Sequence, residues 1–399
     1  MKRLWDRGES LDEDVLTFTA GDDPSLDERL IPYDLRATAA HAAMLHDSGF
    51  LSLADHDALQ AAIGELLASH KSGEWRIEPD EEDGHTAIEN RLVALTGDAG
   101  RAVHLGRSRN DQVLAALRPW LKDRLDELAA AAILVSEVLD AISAANVSTV
   151  MPGYTHLQRA MPSTVGLWAG AFSAEIRDDG DGLVLAKRRA DRNPLGSAAG
   201  YGVPVLSLDR EHTTRGLGFQ RTHQPVTAVQ LSRGKAEATA LFEAAMLAQD
   251  LGRLAADICL FASAEFGFVH LPASITTGSS MLPQKRNPDV FEIARGRTAE
   301  AFAALQEVML ITAKMTSGYH RDLQLIKRPL FRGLDGVLQT ARVMARVLPL
   351  VEFDTDRLAA AMDPSMDMAA RANRLVRDTG IPFREAYRLV RDDPTAGIT

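Results

Sequence analysis

The sequence predicts a mainly all-α protein. Hydrophobic residues make up 46% of its 399 residues but aromatic residues only 6%. The core must therefore be built mainly from Ala, Leu, Val and Met, which is typical of helical bundles. Apolar residues also recur at three- and four-residue steps over several long stretches, the period of a helix with one buried face. A chain of this length can form two or three domains around a large core.

The N-terminal part predicts a small helical domain, which we bound at residues 1–108. Its apolar pattern from Asp34 to Ser69 predicts two helices separated by a turn at Ser48-Gly49. The segment from Lys71 to Asp83 contains a glycine, a proline and a run of acids, so it predicts a surface connection. This connection leads into a short helix that carries His85.

Five long helices are predicted for a central domain at residues 109–351. Their approximate ranges are Asp111–Ala145, Ser163–Ala190, Pro225–Phe266, Pro288–Lys314 and Arg328–Val347. We expect Pro119 to kink the first helix and take Ser163 as the candidate cap of the second. At ~1.5 Å per residue the third helix would be ~60 Å long. Because this is too long for an isolated globule of this size, its apolar face predicts oligomerisation.

A third domain is predicted at residues 352–399, where a break near Glu352 leads into a short C-terminal helical region. The nearest candidate for a β-hairpin is Gly202–Leu208. The five long helices would complete a bundle in the central domain. We therefore expect three domains with a central five-helix bundle.

The charge and the cysteine count limit the function classes. A formal net charge of -11 argues against a nucleic-acid surface, although arginines can still gather locally, as at Arg107 and Arg109. The single cysteine, Cys259, excludes an intramolecular disulfide and a thiolate metal site, and favours the reducing cytoplasm. The N-terminus lacks the apolar segment of a signal peptide, no stretch looks long and apolar enough to span a bilayer, and the histidines show no metal-ligand spacing. We expect a cytoplasmic protein without a membrane, nucleic-acid or metal partner.

Three polar segments interrupt the helical pattern and predict functional loops. Gly278–Pro288 contains two serine hydroxyls, a lysine and an asparagine between glycine and proline residues that exclude regular structure. Gly106–Gln112 places two arginines just before a helix, where backbone N–H groups and the helix dipole favour an anion. Met151–Gln158 holds Thr155 and His156 in a turn. Each segment combines irregular backbone with polar side chains, as active-site loops do.

Each of these segments also has a plain structural interpretation. The first can be a polar connection, the second a capping turn with solvated arginines in which Asn110 or Asp111 caps the helix, and the third a turn with a structural histidine. Two further polar segments, Glu82–Thr86 and Tyr319–Lys327, make five in all. Their combination favours the functional interpretation.

Together the five segments resemble the fumarase and aspartase superfamily, whose members remove a leaving group from a succinyl moiety to give fumarate. The Gln284-Lys285 pair after Pro283, with Gly106–Gln112 and Pro152–Gln158, is similar to argininosuccinate lyases and the related delta-crystallins. The resemblance covers nearly the whole chain. It implies reversible cleavage of argininosuccinate to arginine and fumarate without a cofactor. It also implies a homotetramer in which three subunits share each active site.

The resemblance also implies roles for single residues. Ser279 is expected to be the catalytic base, His156 a general acid or part of a relay, and Glu292 the carboxylate partner of that histidine. Lys285 and the loop amides would hold the serine alkoxide. Substrate is expected to be held by Ser108, Arg109, Asn110, Thr155, Lys285 and Asn287 at the fumarate-forming carboxylates, by Tyr319, Gln324 and Lys327 at the remainder, and by His85 lining the same cleft.

Two other functions remain open. One is a sister lyase that acts on adenylosuccinate or another succinyl amine, and the other is a non-catalytic structural protein like some delta-crystallins. The chain departs from the family pattern at Gln230–Arg233, where a Ser-Asp-Arg-Asp run is usual. It also has Glu81-Glu82-Asp83 in place of Asp-Glu-Asp. These departures bear on substrate specificity.

Overall fold

The computed structural model describes residues 12–393 and is built mainly from helices, as the sequence predicts. In chain order the helices are α1 (Glu13–Ala20), α2 (Asp23–Asp27), α3 (Ile31–Asp47), α4 (Leu53–Ser72), α5 (Gly84–Thr96), α6 (Asp98–Ala102), α7 (Arg109–Ala145), α8 (Val165–Ala190), α9 (Arg210–Gly216), α10 (Ala228–Leu231), α11 (Lys235–Phe261), α12 (Asp289–Thr312), α13 (Lys327–Val347), α14 (Thr355–Ala360), α15 (Met368–Thr379) and α16 (Phe383–Asp392). The strands are β1 (Val150–Thr155), β2 (Gln158–Thr164), β3 (Val269–His270), β4 (Thr277–Gly278), β5 (Arg286–Asn287) and β6 (Glu352–Phe353). They pair antiparallel as β1 with β2, β3 with β6 and β4 with β5.

The chain packs as two compact units. The first unit comprises the described residues up to Ala129 with Asp181–Ala245 and Ala299–Gly336, and the second unit comprises Ala130–Gly180, Met246–Thr298 and the described residues from Val337 onward. Each unit contains one part of each of the five long helices α7, α8, α11, α12 and α13. The predicted long helices are therefore present, while the predicted domain boundaries at residues 108 and 351 stay a prediction.

Helices α3 and α4 form as predicted and are joined by a turn that contains Ser48-Gly49. The Ser52 hydroxyl caps α4 by accepting a hydrogen bond from the Asp55 N–H at 3.1 Å. Gly73 ends α4 in the left-handed conformation, at φ +86°. The buried apolar cluster of this region includes Leu35, Leu45, Leu59, Ile63 and Leu92. It joins α3, α4 and α5 into one core.

The acidic run before α5 is buried, so the prediction of a surface connection is wrong at this point. Glu81, Glu82 and Asp83 are 8%, 2% and 9% exposed. Distant arginines pair with these carboxylates: Arg91 Nη1 lies 2.5 Å from Glu81 Oε1, and Arg321 Nη2 lies 2.7 Å from Glu82 Oε1. Composition predicts solvated acids because it does not show which distant cations will meet them.

The β-hairpin lies at residues 150–164, and the prediction of a hairpin at Gly202–Leu208 is wrong. Residues 202–208 form turns and irregular backbone, whereas His156 and Leu157 connect β1 to β2 at φ +53° and +59°. Left-handed backbone at both central positions matches the twist of the two strands. Sequence rules expect glycine or asparagine at such positions, so this hairpin is hidden from them.

Helix α8 is capped by Thr164 and not by Ser163, which belongs to β2. The Thr164 hydroxyl accepts a hydrogen bond from the Leu167 N–H at 3.0 Å. In the preceding long helix, Pro119 lies inside α7, which continues through it. The side chain that caps a helix depends on where the strand before it ends, and that is decided by pairing with β1.

The third predicted long helix is interrupted between α10 and α11. Gly234 lies at the interruption with φ +82°, a conformation that an α-helix cannot contain. A Cβ at this position would also lie 2.5 Å from Thr312 Cγ2 of α12. Helix α11 then has 27 residues and a length of ~40 Å rather than ~60 Å.

One described helix, α7, is long and apolar enough to cross a membrane by length and composition, so the prediction that no stretch has these properties is wrong. Length and composition are weak evidence for a membrane span, because core helices pass the same test. In the first unit, Leu121, Leu125 and Leu128 of α7 are at most 1% exposed. The apolar character of α7 therefore serves at least in part to build that core.

In the first unit the long helices approach closely at one glycine. A Cβ on Gly333 of α13 would lie 2.6 Å from Leu241 Cδ2 of α11 and 2.9 Å from Ala304 Cβ of α12. Nearby, the rings of Trp120 in α7 and Phe331 in α13 lie 4.3 Å apart between centroids. Packing at this density leaves no room for an added methyl group at Gly333.

In the second unit Trp168 of α8 is the centre of an aromatic contact. Its indole N–H donates to Asp257 Oδ2 of α11 at 2.9 Å. Its ring lies 5.7 Å from the ring of Phe261 in α11 and 5.9 Å from that of Phe353 in β6, between centroids. The indole therefore packs as an apolar body while its polar N–H is satisfied.

A buried ion pair joins α3 to α5. His85 Nδ1 lies 2.5 Å from Asp34 Oδ2, and both side chains are buried. Burial lowers the pKa of His85, but the Asp34 carboxylate outweighs this effect and raises the pKa to about 9. The imidazole is therefore protonated at neutral pH and holds the start of α5 against α3.

Replacing Gly333 by alanine should destabilise the protein by about 1–3 kcal/mol, because the added methyl group forces α11 and α12 apart. Gly64, in the exposed part of α4, has no atom within 4 Å of its missing Cβ and is the matched control. Gly64→Ala should stabilise by about 0.5–1 kcal/mol through helix propensity. Urea unfolding at one protein concentration measures the change in the free energy of unfolding for both variants. Equal changes for Gly333→Ala and Gly64→Ala would contradict the packing argument.

The free energy of unfolding should depend on pH through His85. Its folded-state pKa of about 9 exceeds the ordinary value of 6.5, so the folded state binds the proton more tightly. The resulting stabilisation, roughly 3 kcal/mol at most, is complete below pH 6.5 and is lost as pH rises through 9. Unfolding of the wild-type protein and His85→Gln from pH 6 to 10 should show a difference that shrinks with pH. A constant difference would rule out the ion pair as its cause.

Candidate active site

A polar cavity in the first unit gathers residues from distant parts of the chain. Its volume is about 140 Å³. It receives side chains from the start of α5, the start of α7 and the segment that precedes α13. Six of the predicted substrate residues line it, namely His85, Arg109, Asn110, Tyr319, Gln324 and Lys327.

Ser108 is predicted to bind substrate, but in the structure its side chain caps α7. Its hydroxyl accepts a hydrogen bond from the Asn110 N–H at 3.3 Å, and its own N–H donates to Asp111 Oδ1 at 2.9 Å. The second Asp111 oxygen accepts from the N–H groups of Gly196 and Ala198 at 3.1 and 2.8 Å. This reciprocal cap fixes the start of α7 and therefore the direction of Arg109 and Asn110.

Lys327 is held between two carboxylates at one side of the cavity. Its Nζ lies 2.7 Å from Asp23 Oδ1 and 2.5 Å from Asp27 Oδ1. Burial lowers the pKa of Lys327, but the two carboxylates outweigh it and the pKa is raised. Burial also raises the pKa of Asp23 to about 7, and repulsion from Asp27 adds to this although Lys327 opposes it. Near neutral pH this trio can therefore gain or lose one proton.

Hydrogen bonds within the protein hold the side chains of Arg109 and Gln324 in place. Arg109 Nη2 donates to Thr86 Oγ1 at 3.0 Å, and its Nη1 lies 3.1 Å from Asp83 Oδ2. Gln324 Nε2 donates to the Ala20 carbonyl at 2.9 Å. Preset side chains lose little conformational freedom on binding, which favours affinity.

Sequence reasoning missed several residues that line this cavity. Asp23 and Asp27 lie on the short helix α2, and no motif around them indicates a site. Glu82 and Asp83 belong to one of the five polar segments and to a departure from the family pattern, and Arg233 to the other departure, but none of the three is among the predicted site residues. The signal that would have found them is their position beside Lys327, Arg321 and Tyr319, and only the fold provides it.

In the second unit, the loop that carries Ser279 is closed at its base by the pairing of β4 and β5, and Asn287 lies in β5. The Ser279 Oγ accepts hydrogen bonds from the N–H groups of Met281 and Leu282 at 3.2 and 3.1 Å. Two such donors favour negative charge on this oxygen. Lys285 lies exposed in the same loop.

Thr155 and His156 lie at the turn between β1 and β2, also in the second unit, and both are exposed. The φ of His156 is +53°, which histidine tolerates better than most side chains but which still carries strain. The hairpin therefore holds the imidazole at its tip and open to solvent.

Glu292 lies in the first turn of α12 and is exposed. Within residues 12–393, no hydrogen bond or ion pair joins Ser279, His156 and Glu292 to one another. Their pairing stays a prediction for the assembled protein. In the same range of residues, no group of three or more His, Cys, Asp and Glu side chains is arranged to hold a metal ion.

Comparison with known proteins agrees with the resemblance seen in the motifs. A family model described as a lyase matches residues 13–303. The argininosuccinate lyase of Sorangium cellulosum is 48% identical over 97% of this chain and 90% of its own length. That of Stenotrophomonas maltophilia is 43% identical over 96% of this chain and 89% of its own length.

The fold also matches solved structures. A crystal structure of EDDS lyase in complex with formate superposes with a TM-score of 0.82 at 25% identity, covering 98% of this chain and 77% of that one. A long-helix fold, a matching family model and relatives above 40% identity point to one conclusion. The chain belongs to the lyase family of the fumarase and aspartase superfamily, in the branch of the argininosuccinate lyases, and is an enzyme of the lyase class.

Proposed function

We propose that this chain cleaves argininosuccinate reversibly to arginine and fumarate, the last step of arginine synthesis. The observation that carries the proposal is the cavity of about 140 Å³ in which six predicted substrate residues meet. Its lining has cationic and anionic side chains side by side. Argininosuccinate has carboxylates, an ammonium and a guanidinium, so a lining of both signs suits it. Membership of the family supports the same activity.

The reaction begins with removal of a proton from the carbon beside a carboxylate. Ser279 is the proposed base, and it needs help because a serine hydroxyl is a weak base. The N–H groups of Met281 and Leu282 already point at its Oγ, and the Lys285 ammonium would add a positive charge. Together they favour the alkoxide that takes the proton.

The second step breaks the bond between carbon and nitrogen. The electron pair left on the deprotonated carbon forms the double bond of fumarate, and the nitrogen leaves with the arginine portion. The departing nitrogen needs a proton, for which His156 is the proposed donor or relay, oriented by Glu292. Thr155 and Asn287 are proposed to hold the carboxylates on which negative charge builds up. No cofactor takes part in this scheme.

We further propose a homotetramer in which three subunits contribute to each active site. Ser279, His156 and Glu292 are not joined within one described chain, and assembly would bring such groups together from different copies. On α12, Phe302, Met309 and Leu310 are 40%, 55% and 64% exposed, which is unusual for a helix without a partner. A cytoplasmic location is part of the same proposal, because the activity belongs to amino-acid synthesis.

A substrate panel tests the proposed activity. Purified protein is mixed with argininosuccinate, adenylosuccinate or aspartate, and fumarate is followed by its ultraviolet absorbance. We expect fumarate from argininosuccinate alone. Fumarate from adenylosuccinate alone would instead establish the sister-lyase alternative, and no fumarate from any of them would favour a non-catalytic protein on the same fold.

Replacing Ser279 by alanine should lower the rate of fumarate formation at least about 100-fold, the size expected for a general acid–base group. Ser280 is the matched control, because it is the next hydroxyl in the same loop and is exposed. Ser280→Ala should stay within about threefold of the wild-type rate. Circular dichroism confirms that both variants fold. Full activity in Ser279→Ala would remove this serine from the mechanism.

A charge on the exposed face of α12 should break the assembly. Leu310→Asp places a carboxylate where we propose a subunit contact, so sedimentation velocity at micromolar concentration should show species smaller than the wild-type tetramer, and activity should fall with them. Leu53→Asp, at a 60% exposed position of α4, is the control and should leave the tetramer intact. A wild-type protein that sediments as a stable monomer would refute the proposed assembly.

A further inference from the structure

Arg233 is a buried cation with unused hydrogen-bond donors. The residue is 6% exposed, and neither its Nε nor its Nη1 has a hydrogen-bond partner. The remaining nitrogen, Nη2, makes one long hydrogen bond of 3.4 Å to the Leu323 carbonyl. Of the side chains in residues 12–393, it is the one with two buried polar atoms lacking such a partner. A buried charge in this state destabilises the protein unless something else satisfies it.

The unused donors belong to a side chain that lines the cavity of the candidate site. Arg233 is part of that lining, and its guanidinium carbon lies 6.0 Å from the centroid of the Tyr319 ring. Burial lowers the pKa of Arg233, while the neighbouring Glu237 carboxylate opposes this. Arginine stays charged in proteins, so the cavity contains a cation with donors available to an anion.

Two other buried arginines of the first unit, Arg118 and Arg107, differ from Arg233 in their hydrogen bonds. Arg118 is 4% exposed, but its Nη1 donates to the Arg192 carbonyl at 2.6 Å and its Nη2 to Ser232 Oγ at 3.0 Å. Arg118 is not among the residues that line the cavity. Arg107 is 8% exposed and leaves only its Nε without a hydrogen-bond partner, and it does not line the cavity either. Arg233 is therefore set apart by two unpartnered nitrogens on a side chain of the cavity lining, where they are available to a ligand.

We infer that Arg233 binds the α-carboxylate of the arginine portion of the substrate. This inference rests on the proposed function. Tyr319, Gln324 and Lys327, which are assigned to that portion, line the same cavity, and Arg233 lies beside the first of them. The cavity volume of about 140 Å³ is several times the ~10–15 Å³ that one water molecule needs on the same measure, so an α-carbon with its amino and carboxylate groups has room in it.

The α-carboxylate of the arginine portion of the substrate requires a cation in a cavity that is lined by several acidic side chains. Asp23, Asp27, Glu82 and Asp83 also line the cavity. They are paired with the other cations of the lining, Lys327, Arg321 and Arg109, whereas Arg233 keeps buried donors that the carboxylate of an amino-acid end can use. Arg233 therefore acts as a specificity-determining residue, which distinguishes an amino-acid ligand from an amine that lacks the carboxylate.

Arginine and agmatine, which is arginine without its carboxylate, test the inference as inhibitors of fumarate formation. For the wild-type protein, arginine should inhibit at a concentration at least about 10-fold lower than agmatine, the discrimination expected for a hydrogen bond to a charged group. In Arg233→Gln, the inhibition constant of arginine should rise about 10- to 100-fold while that of agmatine changes less than about threefold. Arg233→Lys keeps the charge beside Glu237, so its inhibition constant for arginine should lie between those of the wild-type protein and Arg233→Gln.

Arg118→Gln is the matched control and should change both inhibition constants equally or not at all. Equal inhibition by arginine and agmatine in the wild-type protein overturns the inference, as does an unchanged ratio in both Arg233 variants. If neither Arg233 variant folds, the ratio of the inhibition constants of arginine and agmatine in the wild-type protein tests the inference by itself. Absence of fumarate from argininosuccinate with the wild-type protein would contradict the proposed function itself, and the inference with it. Normal release of fumarate from argininosuccinate, with an unchanged ratio of the two inhibition constants in both Arg233 variants, would instead contradict the inference alone.

Discussion

The mutual neutralisation of charges in the first unit, most of them buried, is the constraint on which the candidate site depends. Lys327 with its two carboxylates, Arg321 with Glu82, and His85 with Asp34 each join parts of the chain that are distant in sequence. A buried charge without a partner destabilises a protein by several kcal/mol. The elements that carry these groups therefore form together, and the cavity forms where they meet.

The two units treat their polar residues in opposite ways. In the first unit most of the cavity side chains are buried or half-buried, and several are already hydrogen-bonded, as Arg109 and Gln324 are. In the second unit the proposed catalytic groups lie on a loop, on a hairpin tip and in the first turn of α12, where Lys285, His156 and Glu292 are exposed. Preset groups suit binding, whereas exposed groups on loops suit a site that is completed from outside the chain.

The stretch around Gly234 connects two features that otherwise look unrelated. The left-handed glycine interrupts the third long helix, so Arg233 lies in a turn rather than inside a continuous helix. In that turn its guanidinium is buried and lines the cavity. The stretch from Arg233 to Gly234 thus sets both the point at which α11 begins and a charge inside the site.

Most of the fold and the positions of the candidate functional segments follow from the sequence by itself. Helical periodicity is a local property, so α3, α4, α7, α8, α12 and α13 were predicted close to their observed bounds. The polar loop around Ser279 was likewise visible because glycine and proline mark irregular backbone. Met151–Gln158 was also predicted to be irregular, but all of it except His156 and Leu157 belongs to β1 and β2. The caps, the interruption at Gly234 and the hairpin at residues 150–164 were missed or misplaced. Each depends on a neighbouring strand, on close contact with another helix, or on non-glycine residues in left-handed conformations.

Only the tertiary structure decided which charged residues meet. The sequence shows Asp27, Glu82, Arg233 and Lys327 as separate polar positions, and composition predicts that such groups are solvated. Their burial, the raised pKa of Asp23 and the unused donors of Arg233 arise because folding brings residues more than 200 positions apart into one cavity. Electrostatic interactions weaken with distance and strengthen away from water. They therefore cannot be deduced until the fold fixes the distance between two charges and their burial.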